Sequence, residues 1–307
     1  MKIKLFRSPT KPEQCRAGCV ATLGVFDGLH LGHRRLIETL VARARQHGLP
    51  AALLSFYPHP AAILRSTPLP RITSLRQNCA ILSDWGIDLL YLVRFSPALS
   101  KLSAHDFVQY FLIDSLRVKQ LIVGADAAFG HNREGDVAFL KRELAGKGAS
   151  VEVVDFVADG GKKIGSRVIR ERLERGEVEQ AAELLGRPFS LDGRVVKGDG
   201  RGKQLGFPTA NLNCPGQLIP APGVYAGMVR GRGGVERAVI NIGMRPTFGG
   251  SRLVVEPHLY DYRGVDFYGD RISLTIQHRL RAERKFNSVE ELKQQITQDI
   301  QAARALG

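Results

Sequence analysis

Cysteine is scarce. Four residues, Cys15, Cys19, Cys79 and Cys214, are spread over 307 positions. That is too few for the disulfide framework of a small secreted protein. Cys15 and Cys19 are spaced C-x3-C with no second pair, which argues against a structural zinc site. Long apolar runs are missing as well. Residues 89–93 are typical of the longest, far short of the roughly 18 that a membrane span needs. Residues 1–14 are basic but carry no apolar h-region, so no secretory signal is read there. Aromatic side chains make up only 7% and no K/R-G-F-x-F string occurs, which weighs against an RNA-recognition module. Acidic residues are outnumbered: 44 Lys and Arg stand against 30 Asp and Glu, a net charge of +14. Such an excess points to anionic partners, and charge alone does not separate nucleic acid from nucleotide phosphates. The expectation at this point is a cytoplasmic protein with anionic partners and no membrane association.

What is present is ordinary for a globular chain. Apolar residues make up 44% and charged residues 24%, which excludes a wholly disordered or fibrous protein. At about 150 residues per domain, the length suggests two domains.

The two halves differ in texture. Short apolar runs at residues 20–25, 51–56, 89–93, 121–124 and 151–156 read as strands. Between the first two, Leu36, Ile37, Leu40, Val41 and Ala44 recur with a 3.6-residue period up to Gly48, a helix C′ candidate. A second helical segment covers residues 104–116. Alternating strands and helices predict a parallel sheet with helices on both faces. Gly186, Arg187 and Pro188 read as a linker, which sets domains at 1–186 and 187–307. Beyond it, β-rich runs at 190–197, 224–230, 235–242, 253–259 and 272–277 are separated by Gly- and Pro-rich turns, the pattern of an antiparallel barrel or sandwich. A closing helix starts at an S-x-x-E capping box, Ser288 and Glu291, and carries the stripe Val289, Leu292, Ile296, Ile300. No internal repeat or low-complexity tract is seen.

The first candidate site is Gly24-Val25-Phe26-Asp27-Gly28-Leu29-His30-Leu31-Gly32-His33, where the first strand turns into the first helix. Open α/β sheets bind ligands at the carboxyl ends of strands, and helix N-termini attract phosphate. Gly24 and Gly28 let backbone approach phosphates, and Gly32 leaves room for a base or ribose. His30 and His33 can donate to phosphate oxygens as charge builds. The plainer alternative is two histidines sharing a helix face. A metal site is weaker, because no third ligand stands at a familiar spacing and H-E-x-x-H is absent.

This segment resembles the H-x-G-H motif of the nucleotidyltransferase superfamily. The longer string G-x-F-D-G-x-H-x-G-H is similar to the adenylyltransferase half of the prokaryotic bifunctional riboflavin kinase/FAD synthetases. Phe56-Tyr57-Pro58-His59-Pro60 resembles that family's F-x-P-H-P. Gly124-Ala125-Asp126-Ala127-Ala128-Phe129-Gly130, with Arg133 and Gly135, is similar to its G-x-[DN]-F-x-F-G segment. The resemblance assigns Phe56, Pro58, His59 and Phe129 to the flavin side and Asp126 to the ATP side. Phe56 and Phe129 as core residues, and Pro58 with Pro60 as a rigid turn, stay open as alternatives. Two departures stand out. Ala127 replaces an aromatic. Lys163-Ile164-Gly165-Ser166-Arg167-Val168-Ile169-Arg170 aligns with I-S-S-T-x-I-R, keeping Ser166 and Arg170 as ATP contacts but placing Arg167 at the threonine. Either Arg167 adds a charged donor to the triphosphate, the favoured reading, or it faces water.

The second candidate site is the string from Gly200 to Leu212, Gly-Arg-Gly-Lys-Gln-Leu-Gly-Phe-Pro-Thr-Ala-Asn-Leu. Such a loop, with Gly202 and Lys203, can wrap a triphosphate with backbone N–H groups. Thr209 and Asn211, at i and i+2 of an extended segment, can both reach one Mg²⁺. It is not a Walker A loop, and a basic turn between strands explains the spacing equally well. The string G-x-G-x-x-x-G-F-P-T-A-N is similar to the riboflavin kinase signature. Further matches are residues 222–225, Asn241-Ile242-Gly243, residues 245–249, Tyr268-Gly269, and Val255-Glu256-Pro257-His258-Leu259, which resembles [VM]-E-x-H. The resemblance makes Glu256 the catalytic base. Alone, Glu256 would read as an exposed strand residue, and Pro257 signals a sheet edge or a bulge.

The resemblance therefore implies an α/β Rossmann-like nucleotidyltransferase domain followed by an antiparallel β-barrel riboflavin kinase domain with a C-terminal helix. It implies a bifunctional enzyme using ATP and Mg²⁺, with riboflavin, FMN and FAD as substrate and products, and with these small molecules rather than nucleic acid or membrane as partners, beside a weak homo-oligomer as the expected self-association. Two rivals remain open: a single-function adenylyltransferase with an inactive barrel, and an RNA-binding protein built on a basic barrel.

Overall fold

The computed structural model describes the chain except residues 1–2, 8–9, 66–68, 156, 160–161, 199–201, 203–204, 233, 248–249, 262–267 and 307, and the side chains of 246–247 and 250–252. Two compact units emerge. The first holds residues 1–69 and 75–165, and the second holds 70–74 and 166–307.

The first unit is built on six parallel strands: β1 (Lys4–Arg7), β2 (Cys19–Leu23), β3 (Ala51–Tyr57), β4 (Leu89–Arg94), β5 (Val118–Gly124) and β6 (Ser150–Val154), in the order β1-β4-β3-β2-β5-β6. The strands alternate between two cores. Cys19, Ala21, Ala52, Leu54, Leu89, Tyr91 and Val93 face one of them. Val20, Ala51, Leu53, Leu90 and Leu92 face the other. Burial on both faces is why these strands read as unbroken apolar runs rather than alternating ones. Helix α1 (Leu31–His47) fills one face with Ile37, Leu40 and Ala44 and ends at Gly48, whose φ of +63° is the left-handed cap its position predicted. Also in this unit are α2 (Pro60–Leu64), α3 (Leu75–Asp84), α4 (Ala104–Phe107), which continues as a π-helix over Val108–Ser115, and α5 (Val137–Ala145). A short ladder joins β7 (Ala158–Asp159) to β8 (Lys162–Lys163). From β2 the chain runs one way through β3 and β4, then the other way through β5 and β6. The switch point, where such sheets bind ligands, lies at the carboxyl ends of β2 and β5.

The second unit opens with α6 (Ser166–Glu174) and α7 (Val178–Leu185), followed by β9 (Phe189–Val196), β10 (Asn211–Asn213), β11 (Gly223–Gly231), β12 (Gly234–Thr247), β13 (Gly250–His258), β14 (Arg271–Arg281) and α8 (Val289–Ala305). The antiparallel order is β10-β9-β14-β11-β12-β13. Its end strands approach each other, since the Ala210 N–H donates to Pro257 O at 3.0 Å, which brings the sheet close to a closed barrel. Pro257 stands on β13, the last strand in the order, as a strand proline requires.

The segment read as a linker also closes helix α7. Gly186 takes φ +69° and donates to Glu183 O, and Arg187 N–H reaches back to Ala182 O at 3.2 Å, the paired bonds of a Schellman motif. Arg187 is enclosed enough that burial pushes its guanidinium pKa down to about 10. Position 187 marks the approach to β9, while the compact unit holding β9 begins at Ser166. Residues 70–74 join it through Arg71 N–H to Gly216 O and Leu218 N–H to Arg71 O, both 2.8 Å. On α8, Ser288 accepts from the Glu291 N–H at 3.1 Å as a capping box demands, but the Glu291 carboxylate takes the Asn287 N–H instead of that of Ser288. Of its predicted stripe, Ile300 packs on Val224, Ala226 and Val239, whereas Val289 is exposed.

Candidate active sites

In the first unit the loop after β2 is pinned from both sides. Gly24 N–H donates to Leu54 O on β3 at 3.1 Å, and the Asn78 amide donates to Phe26 O at 2.9 Å. Asp27 is buried at 1% exposure, Gly28 adopts φ +86°, and the buried Leu29 takes φ +45°. His30 is the N-cap of α1. Its Nδ1 accepts the His33 backbone N–H at 3.3 Å, so the proton of the neutral ring sits on Nε2. The two imidazoles stack at 3.7 Å between centroids with 18° between planes, and His33 also meets Phe26 at 5.0 Å. A Cβ on Gly32 would stand 3.2 Å from the His30 ring, which explains the glycine between the histidines. Two imidazole donors, the first-turn N–H groups and the helix dipole thus converge at the switch point.

Around this loop, Asp126 follows β5, and Lys163 on β8 forms an ion pair with it. That hydrogen bond outweighs partial burial and holds the Asp126 carboxyl below its ordinary range. Lys163 was not singled out as a functional residue in the sequence, and its ion pair with Asp126 is what brings it forward. Phe56 and Phe129 are brought into one aromatic cluster by Phe107, 6.1 Å from the first and 5.4 Å from the second. Phe129 is buried, with Gly135 directly against its ring. Phe56 is half-buried beside Phe95. His59 caps α2 by accepting the Ala61 N–H at 3.1 Å, and Pro58 precedes it.

Ser166 and Arg170 belong to the second unit. Ser166 opens α6, and Arg170 donates to Pro70 O. Arg167, the favoured extra phosphate donor, has a side chain 91% exposed and paired with Glu171 at 2.9 Å one turn on. That is the water-facing alternative.

The barrel holds a cavity of about 440 Å³. Gly202, Thr209, Asn211, Asn241 and Glu256 all line it. Glu256 on β13 lies opposite Asn241 on β12, whose amide is 3.5 Å from the carboxylate. A Cβ on Gly202 would come within 2.5 Å of Phe207 O and 3.0 Å of Thr209 Oγ1, so this glycine is needed for the turn to close on Thr209. Lys203 lies outside the described residues, as do Gly200, Arg201, Gln204, Phe248 and Gly249. Leu292 and Ile296 of α8 form a cavity wall, anchored by a forked pair of Arg281 with the buried Asp299 at 2.8–3.2 Å and a Gln295 bond at 2.9 Å. The helical stripe signalled a packed face there, but not a cavity wall. Asn241 stood inside a quoted match without a role of its own.

Among the described residues no group of three or more His, Cys, Asp or Glu could hold a metal ion, and no helix is long and apolar enough to cross a membrane. Residues 12–168 match the family model described as FAD synthetase, and residues 185–306 match that described as riboflavin kinase. The chain is 39% identical to the bifunctional riboflavin kinase/FMN adenylyltransferase of Escherichia coli K12 over 94% of its length and 92% of that protein. It is 37% identical to the Bacillus subtilis protein of the same name over 95% and 93%. A solved structure from Streptococcus pneumoniae, titled a macrolide-efflux protein, superposes with a TM-score of 0.89 at 30% identity, covering 98% of this chain and 99% of that one. The efflux in that title has no counterpart in either family model.

Proposed function

We propose a division of labour among the residues of a chain that belongs to the family of bifunctional riboflavin kinase/FMN adenylyltransferases and carries both activities. In the kinase step Glu256 takes the proton of a ribityl hydroxyl as that oxygen attacks the γ-phosphorus of ATP. The bond to the β–γ bridging oxygen breaks and ADP leaves with FMN formed. Asn241 holds the Glu256 carboxylate toward the cavity. Thr209 Oγ1 and the Asn211 side-chain oxygen are hard, neutral donors that suit a Mg²⁺ ion delivered with phosphates rather than a resident metal. When bound, that ion offsets phosphate charge. Gly202 and Lys203 belong to the phosphate loop.

In the adenylyl step a phosphate oxygen of FMN attacks the α-phosphorus of ATP, and pyrophosphate leaves as FAD forms. Neither His30 nor His33 forms a covalent bond. Both donate to phosphate oxygens as charge shifts onto the leaving group, beside backbone at Gly24, Asp27, Gly28 and Gly32. Asp126 takes the ATP side within the first unit, and Ser166 and Arg170 carry an ATP role by family resemblance alone. Phe56, Pro58, His59 and Phe129 take the flavin side, Phe129 from within the core. Substrates and reduced cysteines suit a cytoplasmic enzyme. The observation that carries this reading is the placement of Glu256, Asn241, Thr209 and Asn211 on the wall of one cavity.

The test separates flavins by chromatography after incubation with riboflavin, ATP and Mg²⁺. The wild type yields FMN and FAD, and His30→Ala or His33→Ala stops at FMN. Full FAD output from either histidine variant would contradict the assignment.

A further inference from the structure

We infer that His258 is a positioning residue of the kinase site, holding the Thr209 segment against the strand that carries Glu256. The inference rests on the roles proposed above for Glu256 and Thr209.

His258 is two residues beyond Glu256 on β13, so both side chains emerge on the same face, and both line the cavity. Its ring is buried and meets Phe207 edge-on at 5.6 Å. Its Nδ1 lies 2.8 Å from Pro208 O. A carbonyl oxygen only accepts, so Nδ1 carries the proton and donates. The next link comes from the other side of Thr209, where the Ala210 N–H donates to Pro257 O at 3.0 Å. Thr209 is therefore held between two hydrogen bonds to consecutive residues of β13.

Pro257 leaves this seam with fewer backbone bonds, so a side-chain bond beside it carries more of the contact. A strand residue ordinarily offers both an N–H and a C=O to its neighbour, but proline has no N–H to return to the facing segment. The seam between β13 and the Thr209 segment is short of one backbone donor. The imidazole of the following residue supplies a donor to Pro208 O. Removing it leaves a carbonyl without its partner and lets the peptide before Thr209 turn. The distance from Thr209 and Asn211 to Glu256 is then no longer fixed. Phosphoryl transfer depends on such alignment more than on covalent chemistry.

The experiment uses paired amides in the full-length enzyme. The Asn side-chain nitrogen superposes on His Nδ1, and the Gln nitrogen on Nε2. His258→Asn keeps the donor, and His258→Gln misplaces it. His258→Asn is expected to retain kinase kcat within about 3-fold, and His258→Gln to lose roughly 10²-fold, the scale of a 1 Å misplacement. Riboflavin Kd, read from quenching of flavin fluorescence, and FMN adenylylation are expected to stay at wild-type values in both, which also reports folding. The Mg²⁺ concentration for half-maximal kinase rate rises in His258→Gln alone. If His258→Gln fails the adenylylation check, His258→Phe, which keeps the ring against Phe207 without a donor, takes its place with the same expectation. Equal losses in His258→Asn and the donor-lacking variant, or no loss in the latter, would overturn the inference. Glu256→Gln is run alongside: kinase activity surviving there defeats the base assignment itself, while its loss with an unaffected His258→Gln defeats only the role of His258.

Discussion

Asn241 and Glu256 occupy paired positions on β12 and β13, with the Asn241 amide 3.5 Å from the Glu256 carboxylate. A base that must take a proton in one geometry gains from a neutral donor that orients it. Asn241→Leu keeps the branched shape and removes the donor. Kinase kcat is expected to fall about 10-fold, riboflavin KM to move less than that, and FMN adenylylation to be unaffected. Steady-state rates with riboflavin and with FMN as separate substrates check this. Equal loss of both activities would mean that the substitution acts through folding.

Gly32→Ala tests the adenylyl site without touching a polar group. The new methyl would stand 3.2 Å from the His30 ring, which already packs against His33 at 3.7 Å. The ring must tilt, so FAD formation from FMN is expected to drop about 10-fold or more, with kinase activity and thermal midpoint retained. A helix position would otherwise favour Ala over Gly by up to 1 kcal/mol. An unchanged or higher FAD rate would show that the stacked pair is not the catalytic arrangement.

Where the second unit begins can be measured by truncation. Val178, Ala181 and Leu185 of α7 are buried, and Glu179 accepts the Arg279 N–H of β14 at 3.0 Å. Arg279 in turn donates to Arg175 O at 2.8 Å. A fragment of residues 166–307 is expected to melt cooperatively and at a higher temperature than one of residues 187–307, both lacking residues 70–74. Equal midpoints by circular dichroism would show that α6 and α7 contribute nothing to the barrel.

The buried anchor of α8 sets another expectation. Asp299 is 4% exposed and receives the Arg281 fork. Asp299→Ala leaves the guanidinium without its partner, at a cost of roughly 3 kcal/mol in unfolding free energy. Because Leu292 and Ile296 of the same helix wall the cavity, riboflavin KM should rise while ATP KM for the adenylyl step holds. Denaturant unfolding and kinetics check the two halves of that expectation, and a stability change within 0.5 kcal/mol would contradict it.

The parallel sheet was legible in the sequence because its strands are buried on both faces and read as apolar runs, and α1 was legible from its period and Gly48. The barrel strands were legible from their turns. β1, β10 and α3 were not. β1 is a four-residue edge strand with three exposed positions, and β10 has only three residues, too short for a pattern. Gly186 and Arg187 close α7 in a Schellman end as well as leading into β9, a double use that local sequence does not distinguish. The candidate sites were readable through glycines and prolines that mark close approaches, as at Gly32 and Gly202. Partners distant in sequence, Lys163 for Asp126 and Asp299 for Arg281, leave no local spacing to detect.

On the proposed assignments, two separate residue sets run two reactions in one chain. Glu256→Gln, supplied with ATP, Mg²⁺ and either riboflavin or FMN, tests this most directly. Almost no flavin nucleotide is expected from riboflavin, a fall of about 10²–10⁴-fold, with wild-type FAD formation from FMN. FMN produced from riboflavin at the wild-type rate would contradict it.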